Sequence, residues 1–222
     1  LTSEEPPGKL SPLQERILVE FFARDQGFFL TGGAALAGFH LHHRSTDDLD
    51  LFTTDAAVFE RARYVLADVA SSLELAITVV QDAPGFRRSV LAGGRGSVVV
   101  DLVLERVPQG DPDKAWIGSV RVDTPQEILA NKLNTLLSRS EERDLVDVMC
   151  LERAGYPVEQ ALELALAKDG ACTPAALAWI LSQVTIPPGH PLPAEVVAEE
   201  LAEYVRDLAQ RLVQLASPDR GT

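Results

Sequence analysis

The chain has 222 residues, with 20 Lys and Arg against 33 Asp and Glu, a net charge of −13. Apolar residues make up 46%, enough for a sizeable core, which excludes global disorder; the acidity excludes a general nucleic-acid coat, because phosphate binding needs positive surface. No apolar run reaches membrane-spanning length, Leu1 to Leu10 lacks the layout of a signal peptide, and two cysteines in apolar helix-like settings, Cys150 and Cys172, read as free thiols of a cytoplasmic protein.

Ser11 to Asp25 reads as an opening helix, with Ser11 as cap, Pro12 in the first turn and Leu13, Ile17, Leu18 and Phe21 as an apolar stripe. Phe28 to Leu30 is a short strand, broken by Thr31-Gly32-Gly33 before a short helix from Ala34 to Phe39. A loop with His42, His43 and Arg44 leads to Asp48-Leu49-Asp50-Leu51-Phe52, whose period-two alternation predicts a strand. Asp55 caps a helix to Ser71. Leu75–Val80, Arg87–Leu91 and Ser97–Leu104 read as strands, the last two joined by a hairpin over Gly93-Gly94-Arg95-Gly96, and Val120–Val122 adds a short strand. Thr124-Pro125-Gln126-Glu127 then starts a run of helices at about Pro125–Leu137, Glu141–Ala154, Val158–Ala167, Pro174–Gln183 and Ala194–Ala216. The expected organisation is α+β: a mixed sheet flanked by helices over residues 1–123, then a helical bundle over 124–222.

Residues two apart on a strand face one side, so Asp48 and Asp50 project together while Leu49 and Leu51 face the core. Adjacent carboxylates repel unless a cation lies between them, and Mg²⁺ takes hard oxygen ligands. Alone, such a pair also fits an exposed edge strand. Gly32-Gly33 adds a bend where backbone can approach a ligand closely, ahead of a helix N-terminus that favours phosphate. A third acid, Asp101, stands inside the apolar run Val98 to Leu104, where an unpaired carboxylate is costly. It belongs either to a metal site shared with Asp48 and Asp50 or to a salt bridge with Arg87 or Arg88. Lys132 lies on a helix as a solvated lysine or a phosphate contact. Arg139 and Arg143 are one helical turn apart, as are Asp144 and Asp147, and these charges read as intrahelical ion pairs or as the rim of a triphosphate site. His40 and His42 read as packing or surface residues, and His190, between prolines, as structural. Eleven Lys and Arg between Arg61 and Arg143, Arg95 among them, leave room for a local basic surface.

Phe29 to Leu36, followed by His43-Arg44, Thr46 and Asp48-Leu49-Asp50-Leu51-Phe52, resembles the nucleotidyltransferase AbiEii/AbiGii toxin family of the DNA polymerase beta-like nucleotidyltransferase superfamily. Lys132 and Arg143-Asp144 with Asp147 match its downstream pattern, and the likeness is close over residues 28 to 151. It implies a nucleotidyltransferase fold, Mg²⁺ (or Mn²⁺), a nucleoside triphosphate donor, a winged-helix antitoxin and, for some members, a tRNA acceptor. Carried over, Asp48, Asp50 and Asp101 are metal ligands and catalytic, Lys132 contacts triphosphate, and Gly32, Gly33, Arg44, Arg143, Asp144 and Asp147 belong to nucleotide binding. Ala34 departs from the pattern, since the family places a hydroxyl residue near the glycine pair. The alternatives are an antibiotic-type small-molecule nucleotidyltransferase, for which an acidic surface suits a cationic acceptor, an inactive relative that binds a nucleotide or partner, and a pure interaction protein.

Overall fold

Ser11 opens the first helix as a capping box: its hydroxyl accepts from the Gln14 N–H at 3.2 Å, and the Gln14 side chain accepts from the Ser11 N–H at 2.7 Å. The computed structural model describes residues 10–94 and 96–217; Leu1–Lys9 and Arg95 of the expected hairpin turn lie outside them. Contacts divide the chain into two units, one reaching to Val107 and resuming over Asp111–Thr124, the other formed by Pro108–Gly110 and the chain from Pro125 onward.

The first unit runs α1 (Pro12–Arg24), β1 (Phe29–Thr31), α2 (Gly32–Ala35), a π-helical turn (Leu36–His40), β2 (Asp48–Thr53), α3 (Ala56–Ser72), β3 (Ala76–Ala83), β4 (Phe86–Gly93), β5 (Gly96–Leu104), β6 (Ala115–Ile117) and β7 (Val120–Val122). The strands join in one mixed sheet of order β3-β4-β5-β2-β1-β7-β6. β2 runs parallel to β5 and antiparallel to β1, while β1 runs parallel to β7. Alternation decides the faces: Leu49 and Leu51 of β2, Leu91 of β4 and Val98, Val100 and Leu102 of β5 are buried on one side. α3 covers that side, since the Arg87 guanidinium donates to the Phe59 carbonyl at 3.0 Å. Asp55 caps α3 by accepting from the Ala57 and Val58 N–H groups.

β6 is a strand that the sequence pattern does not announce. Its residues are exposed, and it exists through pairing with β7 across the turn at Gly118. The short helix expected from Ala34 to Phe39 begins instead at the glycine pair itself: a four-residue α turn from Gly32 runs straight into a π turn that ends at His40.

The second unit contains α4 (Pro125–Ser138), α5 (Glu142–Arg153), α6 (Val158–Lys168), α7 (Pro174–Gln183) and α8 (Ala198–Ala216). α8 buries Leu201, Val205, Leu208 and Leu212 along one stripe, each worth about 1.5–3 kcal/mol of transfer free energy. It begins at Ala198 rather than Ala194, because Ala194 and Glu195 take positive φ in a 3-10 turn. Pro108–Gly110 is tied in by the Gly110 N–H, which donates to Glu127 Oε2 at 2.9 Å; the other Glu127 oxygen pairs with Lys168 Nζ at 2.5 Å, both side chains buried.

Candidate active site

β2 and β5 bring the three sequence-predicted acids to one face of the sheet. Asp50 and Asp101 are direct Cα partners across the parallel pair, and Asp48 lies two residues before Asp50 on the same side. Asp48 and Asp50 are half-exposed, whereas Asp101 is buried. Thr46 supports the start of the strand by donating to Asp48 Oδ1 at 2.8 Å.

The glycine bend meets this face through β1, whose Thr31 is the Cα partner of Asp50. Gly32 takes φ +65, and a Cβ there would collide with the Asp50 carboxylate. A Cβ on Gly33 would come within 2.7 Å of Arg44 Nη2. Arg44 is buried and donates to the Ser45 carbonyl at 3.0 Å. Gly32, Gly33, Arg44 and Asp50 are therefore assembled as one close-packed group in which only hydrogen fits at Gly32 and a Cβ at Gly33 would require the end of Arg44 to shift. Ala34 is fully buried behind the bend.

A second network fixes the bend from β7. Asp123 accepts from the Thr31 hydroxyl at 2.7 Å and pairs with Lys114 Nζ at 2.7 Å, both charged side chains being inaccessible to solvent. His40 Nε2 bonds the Asp123 carbonyl at 2.8 Å, and burial outweighs this bond in lowering the His40 pKa below its usual value. Sequence reasoning missed Asp123 and Lys114. Their partners are distant in the chain, and no spacing rule connects them.

Arg88 of β4 is the Cα partner of Asp101 on the side away from Asp50. Its Nε donates to Asp101 Oδ1 at 2.8 Å and its Nη2 to Oδ2 at 2.5 Å, a two-point fork that uses both carboxylate oxygens. Of the two arginines open to Asp101 in the sequence, Arg88 is the one engaged. Arg87 points to the opposite face, onto Phe59, Glu60 and Asp82. The hydrogen bond to Asp101 raises the Arg88 pKa against burial, with further support from Asp101, Asp48 and Asp50 through space.

The donor set suits a hard divalent cation: carboxylates on one face, with a bend that no side chain fills. Asp48 and Asp50 are the first candidates to hold such an ion, and Asp101 the third. Among the described residues no three His, Cys, Asp or Glu side chains are gathered closely enough to ligate one together.

Lys132, Asp144 and Asp147 form a distinct set inside the helical unit. Lys132 Nζ lies 2.6 Å from Asp144 Oδ1 and 2.7 Å from Asp147 Oδ2, and all three are buried. Burial opposes the ammonium, but the two carboxylates outweigh it and raise the Lys132 pKa. Lys132 is thus an internal counter-ion joining α4 to α5, not a solvated lysine. Arg143 is half-exposed and pairs with Glu141 at 2.7 Å, and Arg139 reaches both Glu141 and Asp144. Cys150 and Cys172 are not joined in a disulfide, and His190 bonds Glu142 at 2.8 Å.

A mixed sheet with an acidic strand beside a glycine bend, flanked by helices, places this protein among the nucleotidyltransferases. The nucleotidyl transferase AbiEii toxin family, of type IV toxin–antitoxin systems, matches residues 16–220, and the chain belongs to that family. It is a toxin nucleotidyltransferase; membership implies a nucleoside triphosphate substrate and an antitoxin partner. Similar folds occur in MenT4, a nucleotidyltransferase toxin of Mycobacterium tuberculosis H37Rv (14% identity, 90% of this chain and 82% of that one, TM-score 0.58). JHP933 of Helicobacter pylori is also similar (16% identity, 92% of each chain, TM-score 0.53). No curated protein matches the sequence. No helix among the described residues is long and apolar enough to cross a membrane.

Proposed function

We propose that the chain transfers a nucleotidyl group from a nucleoside triphosphate to a tRNA acceptor, with Mg²⁺ (or Mn²⁺) held by Asp48, Asp50 and Asp101. The observation that carries this reading is the register that sets Asp50 against Asp101 and against Thr31, next to the Gly32-Gly33 bend. When bound, the ion would supply charge neutralisation for the triphosphate and the leaving pyrophosphate. In the transfer, an acceptor hydroxyl oxygen bonds the α-phosphorus, the bond from that phosphorus to the bridging oxygen breaks, and pyrophosphate departs. Asp101 is the carboxylate assigned to take the hydroxyl proton. Gly32 and Gly33 let the backbone approach phosphate, and Arg44, packed against Gly33, offers it positive charge. The roles that the resemblance gives Lys132, Arg143, Asp144 and Asp147 in nucleotide binding belong to this proposal, as does a winged-helix antitoxin in a cytoplasmic setting.

A net charge of −13 favours a second reading, in which the acceptor is a cationic small molecule of the aminoglycoside type. Incubation with each α-labelled NTP, Mg²⁺ and either tRNA or aminoglycosides separates the two. Label is expected in tRNA, with a loss of at least about a hundredfold in Asp48→Asn. No nucleotide binding, with Asp48→Asn indistinguishable from the parent protein, overturns the enzyme mechanism.

A further inference from the structure

We propose that Arg88 stands in for the divalent cation in the metal-free protein and lowers metal affinity by competing with the ion for Asp101. The proposal rests on the metal-dependent reading above and deepens it by naming a positioning residue that acts through Asp101.

Four neighbouring strands place Arg88, Asp101, Asp50 and Thr31 in one row across the sheet, each the Cα partner of the next. Arg88 is the cation in that row. Its fork takes one lone pair on each oxygen of Asp101 and fixes the plane of the carboxylate, so an ion near Asp50 must share this carboxylate with a full positive charge, and any rotation toward the ion gives up at least one fork bond. Asp101 is buried, with its side chain 5% exposed, and its negative charge needs a partner at all times. Arg88 supplies that partner when no ion is present, and an incoming ion would supply it instead.

The two arginines of β4 differ in the way this role requires. Arg87 is buried and held by the Phe59 carbonyl, Glu60 and Asp82, so it is fixed to α3. The Arg88 side chain is 44% exposed, and among the described residues all its hydrogen bonds go to Asp101. Its guanidinium rests 5.7 Å from the centre of the Phe86 ring, a contact that steadies it without enclosing it. Release therefore costs one fork and no buried packing. Arg88 is also drawn to Asp48 and Asp50 through space, so it lies within the field of all three acids that an ion would have to share.

The test measures metal without nucleotide and without turnover. Mn²⁺ is titrated into the whole protein and free Mn²⁺ is read by electron paramagnetic resonance, for the parent, Arg88→Gln and Arg88→Lys. Removing a unit charge beside the three acids is expected to tighten Mn²⁺ binding by at least about tenfold in Arg88→Gln, while Arg88→Lys, which keeps the charge, stays within about threefold of the parent. In ¹⁵N-labelled parent protein the Arg88 Nε–H signal, assigned by its absence from Arg88→Lys, is expected to be protected from exchange in EDTA and to lose that protection in Mg²⁺. This second measurement stands even where Arg88→Gln does not fold. Equal or weaker Mn²⁺ binding by Arg88→Gln, or an Nε–H signal indifferent to Mg²⁺, overturns the role of Arg88. If the parent binds Mn²⁺ and Asp48→Asn does not, the metal reading survives that failure. If neither the parent nor Arg88→Gln binds Mn²⁺, the metal reading falls together with the proposal.

Discussion

Lys132→Met tests whether the buried charges of the helical unit form a true ion triad. The substitution keeps the apolar stem but removes the ammonium lying 2.6 Å from Asp144 and 2.7 Å from Asp147, whose side chains are 1% and 0% exposed. Two buried carboxylates then lose their shared ammonium, with Arg139 Nε, 3.5 Å from Asp144, as a remaining counter-charge. Breaking a buried ion pair by deleting one partner costs roughly 3–5 kcal/mol. The helical unit has roughly 100 residues, so at about 2.1 cal/mol/K per residue its melting entropy is about 0.2 kcal/mol/K. Its Tm is expected to fall by about 15–25 °C if it melts alone, or by about 7–10 °C if the whole chain melts as one transition. Scanning calorimetry distinguishes these cases. In the parent, the raised Lys132 pKa means that its contribution is complete below the ordinary lysine value of 10.5 and is lost as pH rises through the folded value; the variant lacks this alkaline decline. The triple variant Lys132→Met, Asp144→Asn, Asp147→Asn removes all three charges and is expected to recover most of the lost Tm. A fall of less than about 3 °C in Lys132→Met would refute the triad as a stabilising unit. A triple variant that refolds but transfers no nucleotide would support a direct role for these residues in nucleotide binding.

Gly32→Ala places a Cβ against the Asp50 carboxylate at a backbone with φ +65, which disfavours alanine by about 1–2 kcal/mol even in open space. Nucleotide transfer is expected to drop by at least about tenfold, with a smaller loss in Gly33→Ala, where the obstructing atom is the flexible end of Arg44; full activity in Gly32→Ala contradicts the close-packed bend. Arg211→Ala addresses acid stability. Burial pushes the Glu152 pKa up, but Arg211 at 2.6 Å, the Val158 N–H at 3.0 Å and the Tyr204 hydroxyl at 2.7 Å together hold it below 4.5. The stability this provides is present above the unfolded value and is lost as pH falls through the lower folded one. Arg211→Ala is expected to cost about 1–3 kcal/mol at pH 7 and to flatten the acid limb of a Tm–pH curve; an unchanged acid limb counts against the network.

Much of this protein is legible in local chemistry. Asp48 to Phe52 alternates with period two, and this alone places Asp48 and Asp50 together and Leu49 and Leu51 opposite. Ser11 and Asp55 cap their helices because a side-chain oxygen satisfies nearby N–H groups, and Gly32 marks the bend because other residues resist its positive φ. Where the signal was weak, boundaries shifted. β6 has three exposed residues and no pattern of its own, and α8 starts late because Ala194 and Glu195 leave the helical region.

Tertiary structure decided which distant groups meet. Asp101 reads in the sequence as an acid needing a cation, but only strand register shows Asp50 on one side of it and Arg88, not Arg87, on the other. Lys132 reads as a solvated lysine or a phosphate contact until α4 and α5 pack and enclose it between Asp144 and Asp147. Asp123 gains Thr31, Lys114 and His40 only when β7 lies beside β1. Backbone periodicity and capping are settled within a few residues, so they are written locally. Charge pairing depends on which strands and helices become neighbours, a property of the whole chain that no local stretch contains.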